Sequence, residues 1–137
     1  MQEKMEAGTL EAETISVVRR FGEDFNRQDV DAVMAGMTDD CVFERSTPAP
    51  NGTRFEGQAA VRACWEEFFG ASGSSTFETE EIFSSGDRCV FRWTHHWTDK
   101  SGNPGQLRGV DVIRVRDGKV SEKLAYVKGG GDSYMQR

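Results

Sequence analysis

The first half of the chain contains segments in which apolar residues recur at helical spacing. The first segment runs from Leu10 to about Gln28, with charged residues between the apolar positions. Its apolar face consists of Ile15, Val18, Phe21 and Phe25. Asp29 is a good N-cap for a second, short helix that ends at residues 38–40. A third helix is predicted from about Gln58 to Phe69, with Gly70 as its terminator.

Elsewhere the apolar pattern has a period of two, which is typical of β-strands. Residues 41–45 form a predicted first strand, which the proline-containing stretch 46–53 ends. Four further strands are predicted at about 76–83, 89–98, 108–116 and 119–128. Asp117-Gly118, between the last two, is the strongest signal for a tight hairpin. Helices first and an antiparallel meander second predict an α+β fold, with a curved sheet wrapped over the helices.

Length, composition and charge narrow the class of protein. The 137 residues are enough for one hydrophobic core. The formal net charge is -6 and the basic residues are scattered, so we expect no nucleic-acid partner. The polar N-terminus does not resemble a secretory signal, and no stretch approaches the ~20 apolar residues of a membrane span. We therefore expect a cytoplasmic protein without a membrane partner, with a disordered segment 1–9, one domain over 10–128 and a flexible tail 129–137.

Neither the cysteines nor the histidines indicate a metal site. Cys41, Cys64 and Cys89 are widely spaced and form no CxxC pair, which fits buried apolar side chains in a reducing compartment. His95 and His96 are adjacent on a predicted strand, so their side chains point to opposite faces. We expect neither a metal nor a cofactor.

Three motifs in order resemble the nuclear transport factor 2 superfamily. They are QDVDAVMAGMTDDCVFE, RFEGQAAVRACW and GVDVIRVRDGKVSEKLAYV. Over residues 10–128 the chain looks most like the SnoaL-like polyketide cyclases and, more distantly, ketosteroid isomerase. The resemblance implies a cone-shaped α+β barrel of the cystatin-like type, with three N-terminal helices packed against a curved, mixed, mostly antiparallel sheet. It also implies a pocket between the concave sheet face and the first and third helices.

Strand alternation then predicts which residues face that pocket, because the resemblance places Asp111 inward. The predicted ligand-contacting set is mainly aromatic and includes two basic residues. It comprises Arg45, Phe21, Phe43, Trp65, Phe91, Trp93, Trp97, Ile113, Lys123, Ala125 and Val127. Such a lining suits a planar or polycyclic apolar molecule.

Two residues are candidates for proton transfer. The resemblance to the cyclases implies that Asp111 is an acid/base. An isolated buried carboxylate is costly, so the alternative is a structural ion pair with Arg45 or Lys123. His95 is the second candidate because histidine exchanges protons near neutral pH. Its alternative is a core histidine that contributes only to packing.

Departures from the relatives limit the chemistry. The oxyanion-binding tyrosine and the base aspartate of ketosteroid isomerase correspond here to Phe21 and Arg45. In limonene epoxide hydrolase, another relative, two of the functional residues correspond to Gly109 and Ala125. We therefore expect neither mechanism in its known form.

Together these patterns predict a cofactor-independent isomerase, cyclase or hydrolase acting by proton transfer on a small hydrophobic carbonyl or polyketide-like compound. The alternative is a non-catalytic small-molecule-binding protein, and a protein-interaction module is disfavoured because no partner groove is marked. A homodimer is predicted through the convex sheet face, where Val90, Val110 and Val112 point outward.

Overall fold

The structure, a computed structural model, describes residues 2–71 and 74–129, with side chains from residue 8 onward. The helices are α1 (Gln2–Asn26), α2 (Val30–Ala35) and α3 (Gln58–Ala71). The strands are β1 (Met37–Arg45), β2 (Thr53–Glu56), β3 (Ser74–Ser85), β4 (Arg88–Thr98), β5 (Pro104–Arg116) and β6 (Lys119–Val127). They form one curved sheet in the order β2-β1-β6-β5-β4-β3. Only the β1–β6 pair is parallel among these neighbours, so the predicted α+β fold with a mixed, mostly antiparallel sheet is confirmed.

Several element bounds differ from the prediction. Helix α1 starts at Gln2, within the segment predicted to be disordered, because residues 2–7 (QEKMEA) are all good helix formers but lack an apolar stripe. Strand β1 starts at Met37, directly after α2, and β5 starts at Pro104. Strand β2 was not predicted, since four residues are too few to show a period of two. The tail from residue 130 lies outside the described residues.

Two short sequence signals, a helix cap and a turn, form the local structures predicted from them. The Asp29 side chain accepts a hydrogen bond from the Ala32 backbone N–H at 3.1 Å, as an N-cap should. Asp117 and Gly118 both have positive φ values, 54° and 74°, as the tight hairpin between β5 and β6 requires.

Helix α1 covers the edge strand β3 through side-chain hydrogen bonds. The Asn26 amide pairs with the backbone of Phe77, donating to its C=O at 3.0 Å and accepting from its N–H at 2.8 Å. Near the other end of β3, the Ser84 hydroxyl donates to the Glu11 carbonyl and the Thr14 hydroxyl to the Gly86 carbonyl, each at 2.9 Å. The two Asn26 bonds use backbone groups of Phe77 that an edge strand otherwise leaves open to pairing with another chain.

The convex sheet face carries a cluster of ion pairs. A bulge between Thr79 and Glu81 inserts Glu80 into β3. The Arg108 guanidinium donates to both Glu80 carboxylate oxygens, at 2.7 and 3.0 Å, and the Thr94 hydroxyl donates at 2.8 Å. These hydrogen bonds, Arg108 first, lower the pKa of Glu80 to about 2.

The hydrophobic core fills the space between the helices and the concave sheet face. Its fully buried members include Val18 on α1, Val61 on α3 and Ile113 on β5. Cys41, Cys64 and Cys89 are buried free thiols, as predicted. No helix in the described part of the chain is long and apolar enough to cross a bilayer.

Candidate functional site

A cavity of about 120 Å³ lies between α1, α3 and the concave sheet face. Its walls include nine of the thirteen residues predicted for the site. Four are aromatic, namely Phe43, Trp65, Trp93 and Trp97. The other five are Arg45, His95, Lys123, Ala125 and Val127. Strand alternation therefore selected the correct face on β1, β4 and β6.

Four predicted residues do not line the cavity. Phe21 and Ile113 are core residues, and Phe91 lies in a separate depression between α1 and β3. Asp111 is buried, pairs across the sheet with Phe91, and reaches the site only through a neighbouring side chain. Strand alternation predicts on which face of the sheet a side chain lies, but not how far along the strand a cavity extends. Here the cavity ends before it reaches Phe91, Asp111 and Ile113.

Other cavity residues were not predicted. They include Phe25, which belongs to the predicted apolar face of the first helix, Phe68 on α3, and Phe77 on β3 before the bulge. Phe25 packs edge-on against Trp65 at 4.9 Å and against Phe77 at 5.5 Å, so these residues form one aromatic wall. The inward alternation of β3 could have identified Phe77. The contribution of the helices depends on how they pack on the sheet, which periodicity does not show.

The central polar feature is a buried ion pair. The Lys123 ammonium lies 3.1 Å from the Asp111 carboxylate, with side chains only 12% and 3% exposed. Asp111 pairs with Ala125 across β5 and β6, so Lys123 is its diagonal neighbour on the inward face. The structure therefore forms the ion-pair alternative for Asp111, with Lys123 as the partner.

Aromatic rings surround the same ammonium group. Its nitrogen lies 4.9 Å from the ring centre of Phe43, 5.3 Å from Trp65 and 5.7 Å from Phe25. Contacts of this kind attract a cation to the ring faces, most strongly where water is excluded. The carboxylate on one side and the rings on the others fix the ammonium at the cavity wall.

Some buried polar atoms at the site have no hydrogen-bond partner among the described residues. They are the indole Nε1 atoms of Trp65 and Trp93 and the Oδ1 atom of Asp111. Buried indole N–H groups usually find an acceptor, so two such donors at one cavity are unusual.

Arg45 lines the cavity from the last position of β1. Its Nε donates to the Thr47 carbonyl at 3.2 Å, and its guanidinium lies 5.4 Å from the ring centre of Phe55. No carboxylate oxygen of the described residues lies within 4 Å of its nitrogens. Arg45 thus brings a positive charge to the cavity wall without a directly paired anion.

His95 is packed as an uncharged aromatic side chain. It stacks on Phe77 with ring centres 4.1 Å apart, and its Nε2 lies 2.6 Å from the Ser75 hydroxyl. Burial, with a smaller contribution from His96, lowers the pKa of His95 to about 4. At neutral pH the imidazole is therefore neutral, so it can accept a proton only weakly.

Two glycines on β5 make room for the tryptophans of β4. Gly109 lies opposite Trp93, and Gly105 lies opposite Trp97. A Cβ atom on Gly109 would lie 2.5 Å from the Trp93 ring, and one on Gly105 would lie 2.1 Å from the Trp97 ring. The indoles therefore lie flat over the β5 backbone, where any other residue would displace them.

The site offers no activated thiol. Cys64 lines the cavity, but burial raises the pKa of its thiol, so the unreactive protonated form predominates at neutral pH. Among residues 2–71 and 74–129, no three His, Cys, Asp or Glu side chains are placed to hold a metal ion.

Comparison with known proteins identifies the family. The family model for the SnoaL-like domain matches residues 18–123, which include the cavity-lining strands β1, β3 and β4 and helix α3. The chain belongs to the SnoaL-like domain family. This SnoaL-like chain matches no protein of curated function in sequence.

Solved structures agree with the assignment. A nuclear transport factor 2-like protein of unknown function from Mesorhizobium loti is 34% identical, with a TM-score of 0.73 over 87% of this chain and 93% of its own. A limonene epoxide hydrolase-like enzyme from M. tuberculosis is 20% identical, with a TM-score of 0.74 over 86% of this chain and 80% of its own. A putative polyketide cyclase from Xanthomonas campestris is 21% identical, with a TM-score of 0.72 over 86% and 92%. At these identities the last two support the fold alone.

Proposed function

We propose that the protein binds a small, planar, hydrophobic carbonyl compound, whose oxygen accepts a hydrogen bond from Lys123. The observation that carries this proposal is a buried ammonium group at the wall of an otherwise largely aromatic cavity. Pockets for small ligands typically combine apolar walls with a few fixed polar groups that orient the ligand. Lys123 is such a group, because Asp111 and three rings hold it in place.

The donor capacity of Lys123 supports the same reading. An ammonium group has three N–H donors, and Asp111 is its one polar partner among the described residues. The remaining donors are available to an acceptor in the cavity. A ligand oxygen there would gain a charge-assisted hydrogen bond in a site from which most water is excluded.

Binding by matched ligands tests this proposal. We expect 2-acetylnaphthalene to bind wild-type protein about tenfold or more tighter than 2-ethylnaphthalene, which has the same shape without the oxygen. Isothermal titration calorimetry measures both affinities. In a Lys123→Met/Asp111→Asn double variant, which leaves no unpaired charge, the difference should disappear. Equal affinities for the two compounds in the wild type would contradict the proposal.

A second candidate function is catalysis of proton transfer at the carbon next to the carbonyl. The Lys123 ammonium favours it, because a fixed cation stabilises the negative charge that develops on an enolate oxygen. Neutral His95 also lines the cavity and is the candidate base, with a lowered basicity that limits the rate. Asp111 then acts by positioning Lys123 rather than by contacting the substrate. SnoaL-like family membership is compatible with this chemistry but does not require it.

Hydrogen exchange distinguishes a catalyst from a binding protein. A catalyst should speed the exchange of the methyl protons of 2-acetylnaphthalene in D₂O, measured by proton NMR. The exchange should fall to the background rate in the Lys123→Met/Asp111→Asn variant. Tight binding without accelerated exchange would show a binding protein and exclude this second function.

A further inference from the structure

We propose that the cavity selects the anionic form of its ligand, a planar hydrophobic compound that carries a carboxylate, enolate or phenolate oxygen, and that Arg45 provides this selectivity. The inference rests on the proposed function, since it assigns the chemical class of the ligand bound at the same cavity. It depends on which charges and hydrogen bonds remain unsatisfied there.

Arg45 gives the cavity a cationic group without a directly paired carboxylate. Lys123 and Asp111 neutralise each other at 3.1 Å. Arg45 lines the same cavity without a carboxylate within 4 Å among the described residues. The half-buried guanidinium of Arg45 therefore brings to the cavity wall a positive charge that no carboxylate of the described residues pairs directly. A ligand with one negative charge would neutralise it.

Two acidic residues, Glu67 and Asp99, also line the cavity. Glu67 is exposed to solvent, which screens its effect on the interior. The Asp99 carboxylate accepts hydrogen bonds from the backbone N–H groups of Ser101 and Asn103, each at 2.9 Å. Neither of these two carboxylates lies within 4 Å of the Arg45 guanidinium nitrogens.

The hydrogen-bonding groups point to the same class of ligand. Trp65 and Trp93 line the cavity, and their buried indole N–H groups have no acceptor among the described residues. Lys123 and Arg45 add two charged donors to the same wall. A carboxylate offers two charged acceptor oxygens and an enolate one, whereas a simple ketone offers one neutral oxygen. An oxyanion satisfies more of these donors than a neutral carbonyl group does.

A pair of probes with the same shape tests the inference. 2-Naphthoate carries a carboxylate where 2-acetylnaphthalene carries a methyl ketone on the same ring system. We expect 2-naphthoate to bind about tenfold or more tighter to the wild type at neutral pH and low salt, measured by isothermal titration calorimetry. Added salt should reduce this ratio, because part of it is electrostatic.

Arginine variants identify the responsible group. In Arg45→Gln the affinity ratio should fall toward one, whereas Arg45→Lys should keep most of it because the charge is retained. Arg62→Gln is the matched control, since Arg62 lies on α3 outside the cavity lining and pairs with Asp31 at 2.9 Å. Melting curves check that the variants fold. If Arg45→Gln does not fold, the salt dependence of the wild-type affinity ratio tests the inference instead, and a ratio that salt leaves unchanged would contradict it.

The outcomes separate the two proposals. If the ketone binds and the acid binds no tighter, the carbonyl-binding function stands and the anion selectivity is wrong. If Arg45→Gln keeps the full ratio, Arg45 is not the source and the inference is also wrong. If neither probe binds to the wild type, both proposals are overturned.

Discussion

Replacement of Asp111 by asparagine should destabilise the protein strongly, because it leaves the Lys123 ammonium buried without its counter-ion. The two side chains are only 3% and 12% exposed, so solvent can replace the lost carboxylate only in part. Breaking a buried pair of this kind typically costs about 3–5 kcal/mol. With an unfolding entropy of about 2.1 cal/mol/K per residue, this cost corresponds to a fall in Tm of about 10–17 °C.

Urea unfolding measures the free energy of unfolding of the wild type, of Asp111→Asn, of a control variant and of a double variant. Asp31→Asn is the control, since it breaks an exposed ion pair with Arg62 and should cost at most about 1 kcal/mol. The double variant Asp111→Asn/Lys123→Met removes both charges and should recover most of the stability lost in Asp111→Asn. If Asp111→Asn lies within about 1 kcal/mol of the wild type, Asp111 is not a structural counter-ion, and the positioning role assigned to it is refuted.

Three further predictions follow from the packing and the charges. Gly109→Ala should push Trp93 into the cavity and weaken the binding of 2-acetylnaphthalene. The control Gly22→Ala should not, because a Cβ atom at Gly22 meets no atom within 4 Å. If titration calorimetry gives the same affinity for Gly109→Ala and the wild type, the prediction is wrong. The pKa of His95 is lowered to about 4 from 6.5, so its neutral form contributes stability above pH 6.5 that is lost as the pH falls toward 4. In urea unfolding, His95→Asn should therefore lose less free energy of unfolding between pH 7.5 and pH 5 than the wild type does. An equal loss would refute the assignment. We also expect a homodimer through the convex sheet face, which Val112→Asp should dissociate; light scattering that returns the 15.3 kDa monomer mass for the wild type at micromolar concentration would exclude it.

Much of the fold could be predicted because several local signals agree. The Asp29 cap, the Asp117-Gly118 turn and the change from helical to strand periodicity each indicate the structure that forms. The errors occur where such signals are weak. Residues 2–7 have high helix propensity without a pattern, and β2 is stabilised by pairing with β1, as between Phe43 and Phe55, rather than by its own sequence.

The candidate site could be predicted only in part. Alternation placed Trp93, His95 and Lys123 on the concave face, where the structure has them. It could not choose between Lys123 and Arg45 as the partner of Asp111, because that choice depends on the diagonal register of β5 and β6. The lowered pKa of His95 could not be predicted from the sequence either, because it results from burial against residues distant in sequence.

A crystal structure of the protein soaked with 2-acetylnaphthalene tests the central claim most directly. The account predicts the naphthalene ring among Phe43, Trp65 and Trp93, with the ketone oxygen within about 3.2 Å of the Lys123 ammonium nitrogen. Density for the ligand outside this cavity, or inside it with the oxygen turned away from Lys123, would contradict the account.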